Sequence, residues 1–203
     1  MLVSAELRWF WKDVLPPGLE AFFRDGPYPP GGGLPRDDEY LVDRGQGELG
    51  LKKRGSKDGI EVKGLVAGRG ISPSPFDARV QIWCKWTSAT LTIEHLPRLV
   101  VHKIRWLRKF DTTGSDTSEV ELDDQERPRL SPDRLPERGC HFELVDLRVN
   151  DSRWWTLGFE AFGELDTIED SLDRTVRHLA RSRPTFAAGL ELSYPAWLAE
   201  LHS

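Results

Sequence analysis

Short runs in which polar and apolar side chains alternate recur along most of the chain, and they constrain the fold more than any other feature. The run VHKIRWLRKF, for example, places Lys103 and Arg105 on one face and Ile104 and Trp106 on the other. A period of two is that of a β-strand, whose successive side chains point to opposite faces. The chain is therefore predicted to consist mainly of amphipathic strands.

About eight such runs are present, and short turn-forming segments separate most of them. They lie at residues 3–11, 38–43, 48–55, 59–66, 78–86, 101–110, 140–149 and 154–165. Hairpins of this kind leave exposed edges unless the sheet closes on itself. The predicted fold is α+β and dominated by β: a closed antiparallel, tunnel-like β-barrel of about eight strands with flanking helices. A barrel of that size encloses side chains or one small ligand.

Three segments predict helices near the two ends of the chain. DVLPPGLEAFFR contains a short helix after its prolines. TIEDSLDRTVRHLAR has apolar residues at helical spacing, and its Thr167 and Asp170 resemble a capping box. The tail LSYPAWLAELHS predicts one more short helix.

The net charge of −5 is concentrated in one segment. Residues 111–139 contain nine acidic and four basic residues, and nine minus four equals the whole excess. This segment, rich in Ser, Thr and Pro, is predicted to be a mobile loop. The segment PYPPGGGLPRDD (27–38) is also predicted to be a loop, from its Pro and Gly content. The rest of the chain is neutral overall, so it can carry a locally cationic site.

Length and composition predict one domain over residues 1–203. No run of about 18 apolar residues is present, which argues against a membrane span. The first residues lack the pattern of a secretory signal, so a cytoplasmic location is expected. Cys84 and Cys140 lack metal-ligand spacing and are expected to be free thiols. The sequence does not specify an oligomeric state.

Alternation alone leaves open which face of each strand points into the barrel. In one arrangement the apolar faces fill a dry core, and the Lys and Arg side chains lie in water. In the other, the bulky Trp9, Trp86 and Trp106 lie on an outer wall that helices cover. The second arrangement suits three indoles better than a narrow interior does, and it makes the polar faces line a central tunnel.

The polar faces together carry seven cations and four carboxylates. These are Arg8, Lys52, Lys63, Arg79, Lys85, Lys103 and Arg105, with Glu6, Glu61, Glu143 and Glu160. If they are enclosed, the excess of positive charge is costly without an anion, because unpaired buried ions are strongly destabilising. The tunnel arrangement therefore predicts a multiply charged anionic ligand, with a divalent metal on the carboxylates.

Six segments also match a series of motifs in a known order. They are SAELR, ELGLKKRG, EVKG, HKIR, GFEAFGEL and LSYPAWL. The series resembles that of the CYTH superfamily, the triphosphate tunnel metalloenzymes, and it spans residue 3 to about residue 201. The resemblance implies a barrel that binds a triphosphate through Lys and Arg and holds Mg²⁺ or Mn²⁺ on glutamates. Adenylyl cyclases, thiamine triphosphatases and inorganic triphosphatases belong to this superfamily.

Carried over residue by residue, the resemblance assigns roles to the polar faces. It implies phosphate binding by Arg8, Lys52, Lys63, Lys103 and Arg105, with Arg79 and Lys85 aligned more loosely. It implies metal binding by Glu6 and Glu160, and Glu143, Glu61 or Glu164 is expected to help hold the ion. The expected catalytic residues are Glu6, Arg8 and Glu160.

Four positions depart from the family's pattern. Ser4 and Phe162 stand where the family has glutamates, so two metal-binding carboxylates are missing and one ion is expected rather than two. Gly50 stands where the family has an arginine. Arg8 stands where it has a lysine, and an arginine stays charged and contacts phosphate through two parallel hydrogen bonds.

Two functions remain open from the sequence. One is a metal-dependent triphosphatase, which retention of Glu6 and Glu160 supports. The other is a non-catalytic module that binds a polyanion or nucleotide, which the changes at Ser4 and Phe162 favour. The basic residues near Trp106 are divided between two strand faces, which argues against nucleic-acid binding. The expected partner is thus a small polyanion.

Overall fold

The structure is a computed structural model that describes residues 1–41, 47–54, 59–71, 76, 78–91, 97–182 and 187–201. Its strands are β1 (Leu2–Lys12), β2 (Gly31–Leu41), β3 (Leu49–Arg54), β4 (Ile60–Ile71), β5 (Arg79–Ser88), β6 (Arg98–Asp111), β7 (Ser118–Val120), β8 (Gly139–Val149), β9 (Ser152–Phe162) and β10 (Leu190–Glu191). Its helices are α1 (Leu19–Arg24), α2 (Ile168–Ala180) and α3 (Tyr194–Glu200), with one 3-10 turn at Pro132–Arg134. Residues 42, 43 and 55 of the predicted strands lie outside the described ranges.

Eight long strands form a closed antiparallel barrel. Their order is β1-β5-β4-β3-β2-β6-β8-β9, and β9 pairs back with β1. The closing pair runs in continuous register from Ser4 opposite Phe162 to Lys12 opposite Trp154. The short strands β7 and β10 pair with β6 and β1 outside this circle. Closure pairs strands that a flat sheet would leave as open edges, and it confirms the predicted fold class.

The apolar faces of the strands point outward, toward helices. Leu7 and Trp9 of β1 belong to the same buried cluster as Phe23 of α1 and Leu172 of α2. Burying each side chain of this size stabilises the fold by about 1.5–3 kcal/mol. Of the two arrangements that alternation leaves open, the structure therefore has the one with the polar faces inside.

The three tryptophans predicted on the outer wall differ in burial. Trp9 is buried, and Trp106 packs partly buried against the same cluster, stacked on Trp155 with ring centroids 6.4 Å apart. Trp86 is 44% exposed. The expectation that helices cover it is wrong, because α2 packs on β1, β8 and β9, whereas Trp86 lies on β5 opposite Val62 of β4.

Apolar side chains fill one end of the barrel interior. Phe10, Val101 and Val145 lie on the inner strand faces and pack with Trp197 and Leu198 of α3. Trp197 is fully buried and stacks on Phe10 with ring centroids 4.9 Å apart. The predicted terminal helix is thus present, and it closes this end of the barrel.

The segment predicted as a loop at residues 27–38 contains much of a strand. β2 begins at Gly31 and pairs with β6, with a register shift between Gly32 and Pro35. Gly32 and Gly33 have φ angles of 93° and 86°, which glycine adopts without strain. The loop prediction is wrong here because the Gly and Pro residues mark a bulge within a strand rather than its end.

The acidic segment at residues 111–139 contains more regular structure than a loop. β7 pairs with β6, and Leu122 forms an isolated bridge with Pro128. Val120 and Leu122 bury their side chains in a small cluster with Leu107 of β6. Composition concealed these elements because a few apolar residues are dispersed among many charges.

Other local expectations have mixed outcomes. Thr167 precedes α2, but its hydroxyl donates to the carbonyl of Glu164 and makes no capping bond, so the predicted capping box is absent. Cys84 and Cys140 are free thiols, as predicted. Among the described residues, no helix is long and apolar enough to cross a membrane.

Candidate functional site

The polar part of the barrel interior forms a cavity with a volume of about 640 Å³, including its open mouth. Eight cationic residues line it: Arg8, Arg36, Lys52, Arg54, Lys63, Lys85, Lys103 and Arg105. Three glutamates also line it: Glu61, Glu143 and Glu160. Tyr194 and Pro195 of α3 form part of the wall next to the closed end.

Six of the seven cations predicted to bind phosphate line this cavity, and Arg79 does not. Arg79 is exposed at the start of β5, where its backbone N–H donates to Glu191 at 2.6 Å. It is the first residue of β5 and pairs with Ile71 of β4 beyond a register shift, so it lies outside the part of the barrel that lines the cavity. Of the predicted metal ligands, Glu61, Glu143 and Glu160 line the cavity, Glu6 lies behind Lys63, and Glu164 is not among the lining residues.

Glu6 is buried and fully engaged with its neighbours. One carboxylate oxygen accepts from the hydroxyl of Ser4 at 2.5 Å, and the other accepts from Nζ of Lys63 at 2.5 Å. Ser4 stands where the family pattern has a glutamate, and in this chain it supplies a hydrogen-bond donor to Glu6 instead of a second carboxylate.

Glu143 bridges two arginines. It forms an ion pair with Arg8, and a second with Arg105 at 3.3 Å. Burial would raise the pKa of Glu143, but Arg8 and Arg105 outweigh it and hold the pKa well below its usual range. Burial would likewise lower the pKa of Arg8, but Glu143 outweighs it and the pKa is raised. The buried pair is therefore ionised on both sides.

Glu160 lies directly opposite Glu6 on β1 and opposite His141 on β8. Its carboxylate contacts Lys85 at 3.4 Å. Burial would raise the pKa of Glu160, but Lys63 and Lys85 outweigh it and lower the pKa to about 2. Burial lowers the pKa of His141 to about 4, so the imidazole is neutral at pH 7.

Asp38 is a buried carboxylate that the sequence interpretation missed. It is fully buried and contacts Lys103 at 3.1 Å, Arg36 at 3.7 Å and Lys52 at 3.8 Å. Burial would raise the pKa of Asp38, but these three cations lower it to about 2. The sequence does contain a sign of this position, because Arg36, Asp38 and Tyr40 are spaced two residues apart and would share one face of a strand. The prediction of a loop at residues 27–38 hid it.

Aromatic rings and cations alternate beside the closed end of the cavity. Nζ of Lys103 lies 4.7 Å from the ring centroid of Tyr40 and 4.1 Å from that of Tyr194, and the two rings are nearly parallel. The guanidinium of Arg8 lies 4.7 Å from the Tyr194 ring centroid. Burial lowers the pKa of Lys103 well below its usual value, and the opposing effect of Asp38 is smaller. An incoming anion would favour the protonated ammonium.

Arg36 and Arg54 are two further cations that the sequence interpretation missed. Within the described part of the chain, the Nε atom of each is buried and has no hydrogen-bond partner. That of Arg36 lies 3.7 Å from Oδ1 of Asp38, an acceptor that also lacks a hydrogen bond among the described residues, so Arg54 is the clearer case. Arg54 lies two residues after Lys52 in the same strand, so alternation would have placed it on the same face as Lys52. Arg36 lies in the segment predicted as a loop. A buried donor without a partner is destabilising, and an added acceptor would remove that cost.

The cavity carries a net positive charge. The eight lining cations are contacted by six described carboxylates: Glu6, Asp38, Glu61, Glu126, Glu143 and Glu160. Eight minus six leaves a formal excess of two positive charges in an enclosed space, with Lys103, whose pKa burial lowers, counted as protonated. Enclosed charges interact more strongly than charges in water because the local dielectric is lower.

The arrangement of carboxylates does not form a metal site as it stands. Across the ranges that the structure describes, no group of three or more His, Cys, Asp or Glu side chains is placed to hold a metal ion. Phe162, which stands where the family has a glutamate, contacts the His141 ring at a centroid distance of 4.8 Å. A divalent ion would have to displace Lys63 from Glu6 and Lys85 from Glu160.

Comparison with models of known protein families finds no match, and neither does comparison with curated proteins. The closed eight-strand barrel is compatible with the tunnel fold that the motif series implies. The relation to the CYTH superfamily is therefore a resemblance of motifs and architecture.

Proposed function

We propose that this protein binds a small, multiply charged anion, such as a triphosphate or a nucleotide, in the barrel cavity. The observation that carries the proposal is the uncompensated charge of the cavity. Eight lining cations meet six carboxylates, and the buried Nε atoms of Arg36 and Arg54 have no hydrogen-bond partner among the described residues. Phosphate oxygens would supply both the missing charge and the missing acceptors.

The closed end of the barrel favours a short ligand. Because α3 fills that end, an anion would enter from the mouth and stop beside Tyr194. Arg8 and Lys103 flank Tyr194 there, so charge-assisted hydrogen bonds are available at the inner end of the cavity. A chain of two or three phosphates would place its inner phosphate at these residues and its outer ones nearer the mouth.

Metal-dependent hydrolysis is the second candidate, and one observation favours it. Glu6 and Glu160 are directly opposed on neighbouring strands, as a shared ion would require. Mg²⁺ or Mn²⁺ held there would neutralise phosphate charge and orient the reacting phosphoryl group. The contacts of both carboxylates with lysines favour binding without turnover, so binding is the function we propose first.

Calorimetric titration with inorganic triphosphate tests the proposal. We expect binding in the presence of a chelator, because the cavity's own cations supply the positive charge. Arg54→Gln should weaken binding by about tenfold, the effect of losing one charged hydrogen bond. Arg98→Gln is the matched control, because Arg98 pairs with Glu39 and does not line the cavity. It should leave the affinity unchanged.

The same samples distinguish the alternatives. Titrations repeated with Mg²⁺ and Mn²⁺, with phosphate release followed, would favour the hydrolase if release depended on the metal and was lost in Glu160→Gln. An absence of binding in every condition would overturn the proposed function. An equal loss of affinity in Arg54→Gln and Arg98→Gln would mean that triphosphate binds to the protein surface rather than in the cavity.

A further inference from the structure

The acidic segment places one glutamate on a cavity arginine. Nε of Arg105 donates to Oε1 of Glu126 at 2.8 Å, and the terminal nitrogen Nη2 of Arg105 contacts Oε2 of the same carboxylate. Two parallel hydrogen bonds of this kind are also how an arginine holds a phosphate. Glu126 thus occupies the guanidinium edge that an entering anion would use.

The turn that carries Glu126 is held by its own hydrogen bonds. The carboxylate of Asp123 accepts from the backbone N–H of Gln125 at 2.8 Å and from that of Arg127 at 2.9 Å. The carbonyl of Asp123 accepts from the N–H of Glu126 at 3.0 Å. Glu126 has a φ of 64°, a conformation that is uncommon for a residue with a side chain. The turn therefore presents Glu126 in a defined direction.

Gly32 leaves room for this contact. A Cβ at position 32 would lie 3.0 Å from Oε1 of Glu126 and 2.5 Å from the carbonyl oxygen of Arg105. Gly32 also has a φ of 93°, which a side chain would disfavour. The absence of a side chain at Gly32, in the bulge of β2, thus leaves the space that the Glu126 side chain occupies beside Arg105.

Arg105 has a second carboxylate partner besides Glu126. Glu143, on the neighbouring strand β8, contacts the same guanidinium at 3.3 Å. Loss of the Glu126 contact would leave Arg105 with a buried carboxylate partner. Glu143 is shared with Arg8, so the charge of Glu126 must be replaced when its contact opens, and an entering anion would replace it.

We infer that Glu126 is an internal competitor of the ligand: it binds Arg105 in the empty cavity, and the entering polyanion displaces it. The inference rests on the proposed function and deepens it. Displacement lowers the affinity of every anion that reaches Arg105.

Glu126→Gln tests the inference, because the amide keeps the shape of the side chain and removes its charge. We expect this variant to bind inorganic triphosphate about tenfold more tightly than the unaltered protein, from the loss of one competing charged contact. Glu121→Gln is the matched control. Glu121 lies in the same segment, is about half exposed, and pairs with Arg129 rather than with a cavity residue. Its affinity should not change.

A second measurement needs no variant. In the unaltered protein, saturating triphosphate should increase amide hydrogen exchange across residues 121–129 and leave exchange in the barrel strands unchanged or slower. Equal or weaker binding by Glu126→Gln, an equal gain in Glu121→Gln, or no increase in exchange when triphosphate binds would overturn the inference. If the unaltered protein and both variants all fail to bind, the proposed function is overturned, and the inference with it.

Discussion

Arg8 occupies the space that a side chain at position 158 would need. The two residues are opposed on β1 and β9, and a Cβ on Gly158 would lie 2.7 Å from Cζ of Arg8. The glycine therefore allows the long guanidinium to stand in the interior and reach Glu143. A glycine inside a strand often marks such a close approach.

Gly158→Ala should destabilise the fold by about 1–3 kcal/mol, because the added methyl group displaces Arg8 from Glu143. Urea unfolding followed by tryptophan fluorescence measures the change. Gly64→Ala is the control, since a Cβ there would meet no atom within 4 Å, and it should change stability by less than about 0.5 kcal/mol. Equal effects of the two substitutions would contradict the packing explanation.

Gly50 has a similar explanation, and it accounts for one departure from the family pattern. A Cβ at this position would lie 3.0 Å from Cγ of Pro195 at the start of α3. An arginine there, as the motif has it, would conflict with the helix that closes the barrel. The absence of a cation at position 50 and the position of α3 are therefore connected.

Helix α3 is short but well determined by its sequence. The hydroxyl of Ser193 accepts from the N–H of Ala196 at 3.2 Å and so caps the helix, and Pro195 lies in the first turn, where no intrahelical donor is lost. The side chain of Trp197 extends from the helix into the barrel, where its ring packs on those of Phe10 and Trp154. The helix owes its stability to this burial, because seven residues form no stable helix alone.

Trp197→Ala should lower the free energy of unfolding by about 3–5 kcal/mol, because it removes a fully buried aromatic side chain. Equilibrium unfolding in urea is the measurement. Trp86→Ala makes the same change at a residue that is 44% exposed, and its effect should be clearly smaller. Equal decreases in the free energy of unfolding for the two variants would contradict the conclusion that the burial of Trp197 in the barrel end stabilises the fold.

Over the whole molecule, the enclosed ion pairs connect stability to pH. The folded protein holds the pKa of Asp38 at about 2, against an ordinary 3.8, and that of Glu160 at about 2, against an ordinary 4.5. A group whose pKa is lowered by folding binds protons more readily in the unfolded chain. Its contribution to stability is therefore complete above the ordinary pKa and is lost as the pH falls toward the folded value.

We therefore expect the free energy of unfolding to fall steeply between about pH 4.5 and pH 2, as chemical unfolding at a series of pH values would show. Asp38→Asn should cost about 3–5 kcal/mol at pH 7, because it leaves Lys103 without its carboxylate, and it should make the acid-induced loss shallower. Glu39→Gln, at an exposed ion pair with Arg98, should give a profile parallel to that of the unaltered protein. A profile for Asp38→Asn as steep as that of the unaltered protein would contradict this account.

Much of this architecture follows from the sequence alone. Alternation identified seven of the eight barrel strands and the last four residues of the eighth, β2, because side chains in an extended chain must point to opposite sides in turn. It also assigned Lys52, Lys63 and Lys103 to the polar faces of their strands, and in the structure these three lysines line one cavity. The spacing of apolar residues likewise predicted the amphipathic helix α2.

The tertiary structure alone decided the rest. Alternation has two solutions, polar faces in or out, and only the packing of α1 and α2 on the apolar faces selects between them. The partner of each cavity cation is also a tertiary fact: Asp38 meets Lys103, and Glu126 meets Arg105, across distances in sequence that local patterns do not cover. These contacts depend on strand register and on barrel closure, which bring together residues whose positions in the chain give no sign that they will meet.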